Sequence, residues 1–105
     1  MIETSEEARN GWQVVRIAGR ADSEAANALE TALRSAVEGH PRVAADFSAL
    51  TYISSAGLRS VVQAARAAQG RGSEFVICSV NSMVRKVFDV SGLDKFIKIH
   101  GELPC

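Results

Sequence analysis

Two adjacent serines, Ser54 and Ser55, are the residues of this sequence whose type and spacing most suggest chemistry. They follow an apolar run and precede an amphipathic helical pattern, in the stretch DFSALTYISSAGLRSVV. A serine before a helix ordinarily caps it, because its hydroxyl accepts a hydrogen bond from an unpaired helical N–H and contributes about 1 kcal/mol. One cap needs only one serine, so the second hydroxyl is available for another role.

The position of this pair is suited to modification by phosphate. The first turn of a helix carries unpaired N–H groups and about half a positive charge, so it receives an anion without unfolding. A phosphoserine would add about −1.5 to −2 charges there. Gly57 follows within the first turn, where glycine costs about 1 kcal/mol relative to alanine, which suggests that another surface comes close to the backbone. Capping and phosphorylation both remain open.

Catalysis by the serine pair would require a base and an orienting acid. His40 lies in a helix-ending turn and His100 beyond the last apolar run, and neither has a catalytic motif around it. Gly70 and Gly72 follow a helical pattern and precede a strand pattern, which is the reverse of a nucleotide-binding loop. We therefore expect that the protein is not an enzyme.

The cysteines and histidines do not have the spacing of zinc ligands. Cys78 lies in the apolar run EFVICSV and Cys105 is the last residue, so a disulfide would require the chain end to reach the core. We expect two reduced thiols, no metal and no cofactor.

Length and charge limit the classes of protein to consider. The 105 residues, 47% of them hydrophobic, suffice for one core, so residues 1–105 are expected to form a single domain. Twelve basic residues balance twelve acidic ones and are scattered, which argues against a nucleic-acid partner. No apolar run approaches the ~20 residues that span a bilayer, and the acidic start is unlike a signal peptide. We expect a cytoplasmic protein without membrane insertion.

The hydrophobic period alternates between strand and helix values along the chain. The turn dipeptide Asn10-Gly11 before GWQVVRIAG predicts a hairpin with a short first strand near residues 2–4. The runs RVAADF, EFVIC and KFIKI predict further strands. Alternating strands and helices imply a mostly parallel sheet with its helices on a common face. The expected fold is α/β, with a mixed sheet of about four to five strands and about three helices packed mainly on one face.

Three helices are predicted from start signals and apolar faces. The first begins near Ser23, with Asp22 or Ser23 as its cap, and the second follows the serine pair. Asn81 or Ser82 opens the third. Its predicted inward residues are Met83, Val84, Val87 and Phe88.

These motifs resemble the STAS domain of anti-sigma factor antagonists over nearly the whole chain. The signature of that family is a D-[FL]-S-x-[LV] strand end, an apolar pair, a Ser-x-Gly-Leu helix start and a later V-x-x-[VIL]-[FL] helix. The corresponding stretches are DFSAL, YI, SAGL and VRKVF, with GRAD upstream. The resemblance implies the STAS fold.

The resemblance also assigns roles to residues. The family's phosphoacceptor is the serine two residues before the glycine, which is Ser55 here. The preceding residue is commonly Asp and is Ser54 in this chain, so Ser54 is the alternative acceptor. The implied partner-binding residues are Asp22, Ser54, Ala56, Gly57 and Arg59, with Gly57 as the point of close approach. For Asp22 and Arg59 the competing interpretations are a helix cap and a solvated surface charge.

The function implied by the family is a partner switch. The unmodified domain binds an anti-sigma factor, often a serine kinase, and so frees a sigma factor. Phosphorylation breaks the complex, and a PP2C-type phosphatase restores it. The alternative is a scaffold or transporter-associated module, of the ABC lipid transport type, that is not phosphorylated. A kinase or phosphatase gene beside this one would favour the switch, and an ABC-transporter operon would favour the scaffold.

Overall fold

A computed structural model describes residues 1–102 of the chain. Strands and helices alternate in this part of the chain, as the periodicity predicts. The elements, in chain order, are β1 (Ile2–Arg9), β2 (Trp12–Ala21), α1 (Ala26–Gly39), β3 (Arg42–Asp46), β4 (Leu50–Ile53), α2 (Ser55–Arg71), β5 (Glu74–Cys78), α3 (Ser82–Ser91), a 3₁₀ turn (Leu93–Lys95) and β6 (Lys98–His100).

The strands of residues 1–102 form one mixed six-stranded sheet in the order β1-β2-β3-β5-β6, with β4 also paired to β2. The hairpin of β1 and β2 is antiparallel, and the other pairs are parallel. The expected mixed α/β sheet is confirmed. It has one strand more than the upper expectation because β4 was not predicted as a strand. This strand pairs with β2 at residues 19–21, beyond the part of β2 that pairs with β3.

The three helices cover one face of the sheet, as expected. Their buried side chains share a single apolar cluster with alternate residues of β2, β3 and β5, because successive strand residues point to opposite faces. The main members from the strands are Val15, Ile17, Val43, Ala45 and Ile77, and those from the helices are Leu29, Leu33, Val37, Val61, Ala64, Val84 and Phe88. This packing fixes the start of α2 above the ends of β2 and β4.

Two predicted features of the helices are corrected by the structure. Helix α1 begins at Ala26, after a turn, and no side chain caps it; the Asp22 carboxylate instead accepts a hydrogen bond from Ala25 N at 3.0 Å, within that turn. In α3, Val84 and Phe88 are buried, but Met83 is 70% exposed. Met83 precedes Val84 by about 100° of helical rotation, which moves its side chain off the buried face.

The two terminal strands also differ from their predicted lengths. Strand β1 continues through Arg9, because its whole length pairs with β2. The last strand contains only Lys98–His100. The predicted run began at Lys95, but the backbone N–H groups of Phe96 and Ile97 bond to Leu93 O in a turn.

Cys78 is buried, as predicted from its apolar run, whereas Cys105 lies outside the described residues. Within residues 1–102, none of the helices combines the length and apolar character needed to cross a bilayer.

Candidate functional site

The serine pair lies where β4 passes into α2, and its first member is the helix cap. Ser54 has an extended backbone, and its hydroxyl oxygen accepts a hydrogen bond from Gly57 N at 3.1 Å. The same hydroxyl donates to Ala21 O at 2.9 Å, and Ser54 N donates to that carbonyl at 2.9 Å as well. Ser54 therefore satisfies an orphan N–H of α2 and ties the helix start to the end of β2.

Ser55 is the first residue of α2 and is exposed. Its hydroxyl takes part in none of the side-chain hydrogen bonds between residues 1–102. The first turn of α2 contains no acidic side chain, so the positive end of the helix is not neutralised locally. The two serines are thus distinct: the hydroxyl of Ser54 is engaged in structure, and that of Ser55 faces solvent.

Gly57 is buried against the protein's own strands. A Cβ atom at this position would lie 2.8 Å from Ile53 Cγ1 and 2.9 Å from Ala21 O. Such distances are too short for ordinary packing, so the glycine allows α2 to begin directly above β2 and β4. A close approach at Gly57, as expected from its type and position, is present, and within this chain the approaching atoms belong to Ile53 and Ala21.

Asp22 follows β2 directly and lies at the same edge of the sheet as the serine pair. Its Oδ1 accepts the bond from Ala25 N at 3.0 Å, and its Oδ2 lies 3.6 Å from the amino group of Met1. The hydrogen bond from Ala25 N holds the pKa of Asp22 below its usual range. The carboxylate therefore orders the turn before α1, although 38% of the side chain remains exposed.

Ala56 and Arg59 occupy the first turns of α2 with different environments. Ala56 is half-buried, and its carbonyl accepts a hydrogen bond from the Ser60 hydroxyl at 3.1 Å. Arg59 is exposed and lies one turn after Ser55. Residues four apart on a helix are neighbours on its surface, so Arg59 and Ser55 share the solvent-facing side of α2.

A pair of side chains that sequence reasoning missed lies beside this site. The guanidinium of Arg20 stacks over the ring of Tyr52, 4.4 Å from its centroid, because β2 and β4 place these residues opposite each other. Tyr52 remains 38% exposed. Only the pairing of β4 with β2 brings these two residues together, and the local sequence does not indicate that pairing.

Asp46 positions the turn that leads into β4. It is only 3% exposed; its Oδ1 accepts a bond from Ser48 N at 2.9 Å and its Oδ2 one from Arg16 Nε at 3.0 Å. Burial raises the pKa of this carboxyl, but the N–H and hydroxyl of Ser48 together with Arg16 outweigh it and hold the pKa below its usual range. Asp46 is therefore a buried ionised group that orders the turn between β3 and β4.

The family follows from a match along most of the chain. The family model described as "Mlab, STAS domain" matches residues 5–100. The chain belongs to the STAS domain family. The STAS domain resemblance expected from the sequence is thereby confirmed.

Three known proteins illustrate the relationships of this STAS domain. It is 38% identical over 84 residues to BtrV of Bordetella bronchiseptica, described as a candidate anti-sigma factor antagonist, with 79% of this chain and 72% of BtrV covered. An anti-sigma factor antagonist from Mycobacterium paratuberculosis has a TM-score of 0.89 and 28% identity, covering 98% of this chain and 88% of the other. The anti-sigma factor antagonist SpoIIAA in its unphosphorylated form has a TM-score of 0.73 and 20% identity, covering 94% and 87%; this last likeness concerns the fold alone.

Of the two serines at this edge of the STAS domain, Ser55 is the exposed one. Ser55 can be reached from solvent, while its neighbour Ser54 holds the helix start in place. A phosphate on Ser55 would meet the N-terminal end of α2 without displacing a structural hydrogen bond. The arrangement therefore supports modification of the surface without a change of fold.

Proposed function

We propose that this STAS domain is an anti-sigma factor antagonist controlled by phosphorylation of Ser55. The unmodified domain binds an anti-sigma factor and thereby releases a sigma factor. A phosphate on Ser55 dissociates the complex. The proposal rests on the different environments of the two serines: Ser54 caps α2, whereas Ser55 is exposed and its hydroxyl is accessible. The similarity to BtrV supports the partner class.

The proposed switch requires one enzyme that adds the phosphate and one that removes it. The anti-sigma factor is a serine kinase, which phosphorylates the domain that it binds, and a PP2C-type phosphatase removes the phosphate. The domain itself acts by binding and is not an enzyme. Its binding surface includes Asp22 and Arg59 beside the serines, with Ala56 at its border.

Ser55 is a better phosphoacceptor than Ser54 on physical grounds. Phosphorylation of Ser54 would remove its donation to Ala21 O and would disturb the cap on Gly57 N. The loss of such a cap costs about 0.5–2 kcal/mol. Phosphorylation of Ser55 breaks no side-chain hydrogen bond within residues 1–102, and it adds charge at a helix end that favours anions by about 0.3–1 kcal/mol.

The test is a kinase reaction with matched serine variants. The wild-type protein, Ser54→Ala and Ser55→Ala are incubated with ATP and the serine-kinase anti-sigma factor of the same genome, and the phosphosite is mapped by mass spectrometry. We expect a single phosphate on Ser55 in the wild type and in Ser54→Ala, and none in Ser55→Ala. A phosphate on Ser54, with Ser55→Ala still a full substrate, would reverse the assignment. Tight binding without any phosphorylation would favour the scaffold.

A further inference from the structure

The solvent-facing side of α2 carries two arginines that the fold does not use. Helix α2 contains Arg59, Arg66 and Arg71 but no acidic residue. Arg71 donates to Glu38 O at 2.8 Å. Arg59 and Arg66 are exposed, and neither takes part in an ion pair, a side-chain hydrogen bond or a ring contact within residues 1–102. We call Ser55, Arg59 and Arg66 the α2 stripe.

Most other arginines within residues 1–102 do have an internal partner. Of these seven, only Arg9 at the end of β1 has none, and six contact a carboxylate, a carbonyl oxygen or an aromatic ring of the protein itself: Arg16, Arg20, Arg34, Arg42, Arg71 and Arg85. An exposed guanidinium with five donors and no internal partner is suited to bind a carboxylate on another molecule in a bidentate manner. The charge of the α2 stripe thus fits an acidic partner surface.

The spacing along the helix separates the roles of the two arginines. Arg59 is four residues after Ser55, and helical side chains lean toward the N-terminus, so its guanidinium reaches the turn where Ser55 begins. Arg66 is eleven residues after Ser55, about 16 Å along the axis at 1.5 Å per residue. A phosphate on Ser55 therefore reaches Arg59 and does not reach Arg66.

We infer that Arg59 is the residue through which phosphorylation acts: it binds a carboxylate of the acidic partner in the unmodified protein and pairs with the phosphate once Ser55 is modified. The inference rests on the proposed phosphorylation of Ser55. The partner then loses its contact with Arg59 in addition to meeting a negative phosphate. Arg66 contributes to docking in both states.

The first experiment needs no partner. Phosphoserine is incorporated at position 55 by genetic code expansion into the wild type, Arg59→Gln and Arg66→Gln, and the phosphate is titrated by ³¹P NMR. An ion pair between neighbours on a helix is worth about 0.3–0.5 kcal/mol, so the phosphate dianion in Arg59→Gln should bind a proton about twofold more tightly than in the wild type. Arg66→Gln should match the wild type. Equal titration of all three proteins would overturn the pairing.

The second experiment measures the affinity of the same three proteins, unmodified and with phosphoserine at position 55, for the serine-kinase anti-sigma factor of the same genome. The kinase is bound to a non-hydrolysable ATP analogue. Arg59→Gln should weaken the unmodified protein about tenfold, the loss of a charge-assisted hydrogen bond, and leave the affinity of the phosphoserine form unchanged. Arg66→Gln should weaken both forms by the same factor. If Arg59→Gln weakens both forms equally, or neither, Arg59 is not the residue through which phosphorylation acts.

The same data separate this inference from the proposed function. If phosphoserine in the wild-type background lowers affinity but does so by an equal factor in Arg59→Gln, the inference fails and the switch at Ser55 stands. If phosphoserine in the wild type leaves affinity unchanged, the proposed function fails and this inference fails with it.

Discussion

Replacement of Gly57 by alanine should destabilise the protein, although alanine is the better helix former. The new Cβ would lie 2.8 Å from Ile53 Cγ1 and 2.9 Å from Ala21 O. That carbonyl already accepts two hydrogen bonds from Ser54, each 2.9 Å long, so α2 cannot move away without weakening its own anchor. Overpacking of this kind costs about 1–3 kcal/mol.

The net effect is the difference between the steric cost and the gain in helix propensity. Alanine is favoured over glycine by about 1 kcal/mol inside a helix, so Gly57→Ala should lose about 0–2 kcal/mol of unfolding free energy. A Cβ atom added at Gly70, in the same helix, would meet nothing within 4 Å. Gly70→Ala is therefore the control, and it should gain up to about 1 kcal/mol.

Urea and thermal unfolding of the two variants and the wild type provide the assay. The variants should differ by about 1–3 kcal/mol, which for a domain of this size corresponds to at least about 4 °C in melting temperature. If Gly57→Ala gained as much stability as Gly70→Ala, the tight contact of α2 with β2 and β4 would not exist.

Two further predictions concern the groups that hold the site. Ser54→Ala should lose about 1–2 kcal/mol of stability, because both the cap and the bond to Ala21 O disappear, whereas Ser55→Ala should stay within about 0.5 kcal/mol of the wild type; equal losses in denaturant melts would contradict the separate roles. The pKa of Asp46 is lowered in the folded state, so its ionised carboxylate stabilises the fold fully at pH values above the unfolded pKa of about 3.9. This stabilisation is lost as the pH falls through that value toward the folded pKa. The stability of Asp46→Asn should consequently depend less on pH in this acidic range, and an unchanged acid profile would refute the role of the ionised carboxylate.

Features of the chain that depend on neighbouring residues were predictable from its sequence. Asn81 was one of two candidate caps for α3, and its side chain accepts a bond from Val84 N at 2.8 Å. Asn10-Gly11 closes the β1–β2 hairpin, with both residues at positive φ. In each case the relevant atoms lie within a few residues, so local chemistry decides the conformation.

Strand β4 was not predictable because its pattern depends on the sheet. Its four residues are buried only at the two ends, Leu50 and Ile53. This spacing of three breaks the alternation of a strand and instead matches one turn of a helix. The pairing of β4 with residues 19–21 of β2 makes it a strand. The contact between Arg20 and Tyr52 could not be predicted for the same reason.

The candidate site was predictable in part. The sequence identifies the serine pair and leaves open which hydroxyl caps the helix. The bond from Gly57 N assigns the cap to Ser54. The same hydroxyl is also held by Ala21 O, which is 33 residues away in sequence and could not be identified from local pattern. Gly57 indicates a close approach from its type and position alone, but the approaching surface is identified only once the end of β2 is placed beneath α2.

The proposed switch is tested most directly by the affinity for the proposed partner, the serine-kinase anti-sigma factor of the same genome, before and after phosphoserine is placed at position 55. A phosphate carries about −1.5 to −2 charges, of which Arg59 compensates one. An uncompensated charge covered by the partner costs about 3–5 kcal/mol, so the dissociation constant should rise by roughly two to four orders of magnitude. Thermal unfolding of the phosphorylated protein alone should remain close to that of the wild type, because the charge lies at a helix N-terminus. An unchanged dissociation constant with an intact fold would contradict the claim that Ser55 is the switch.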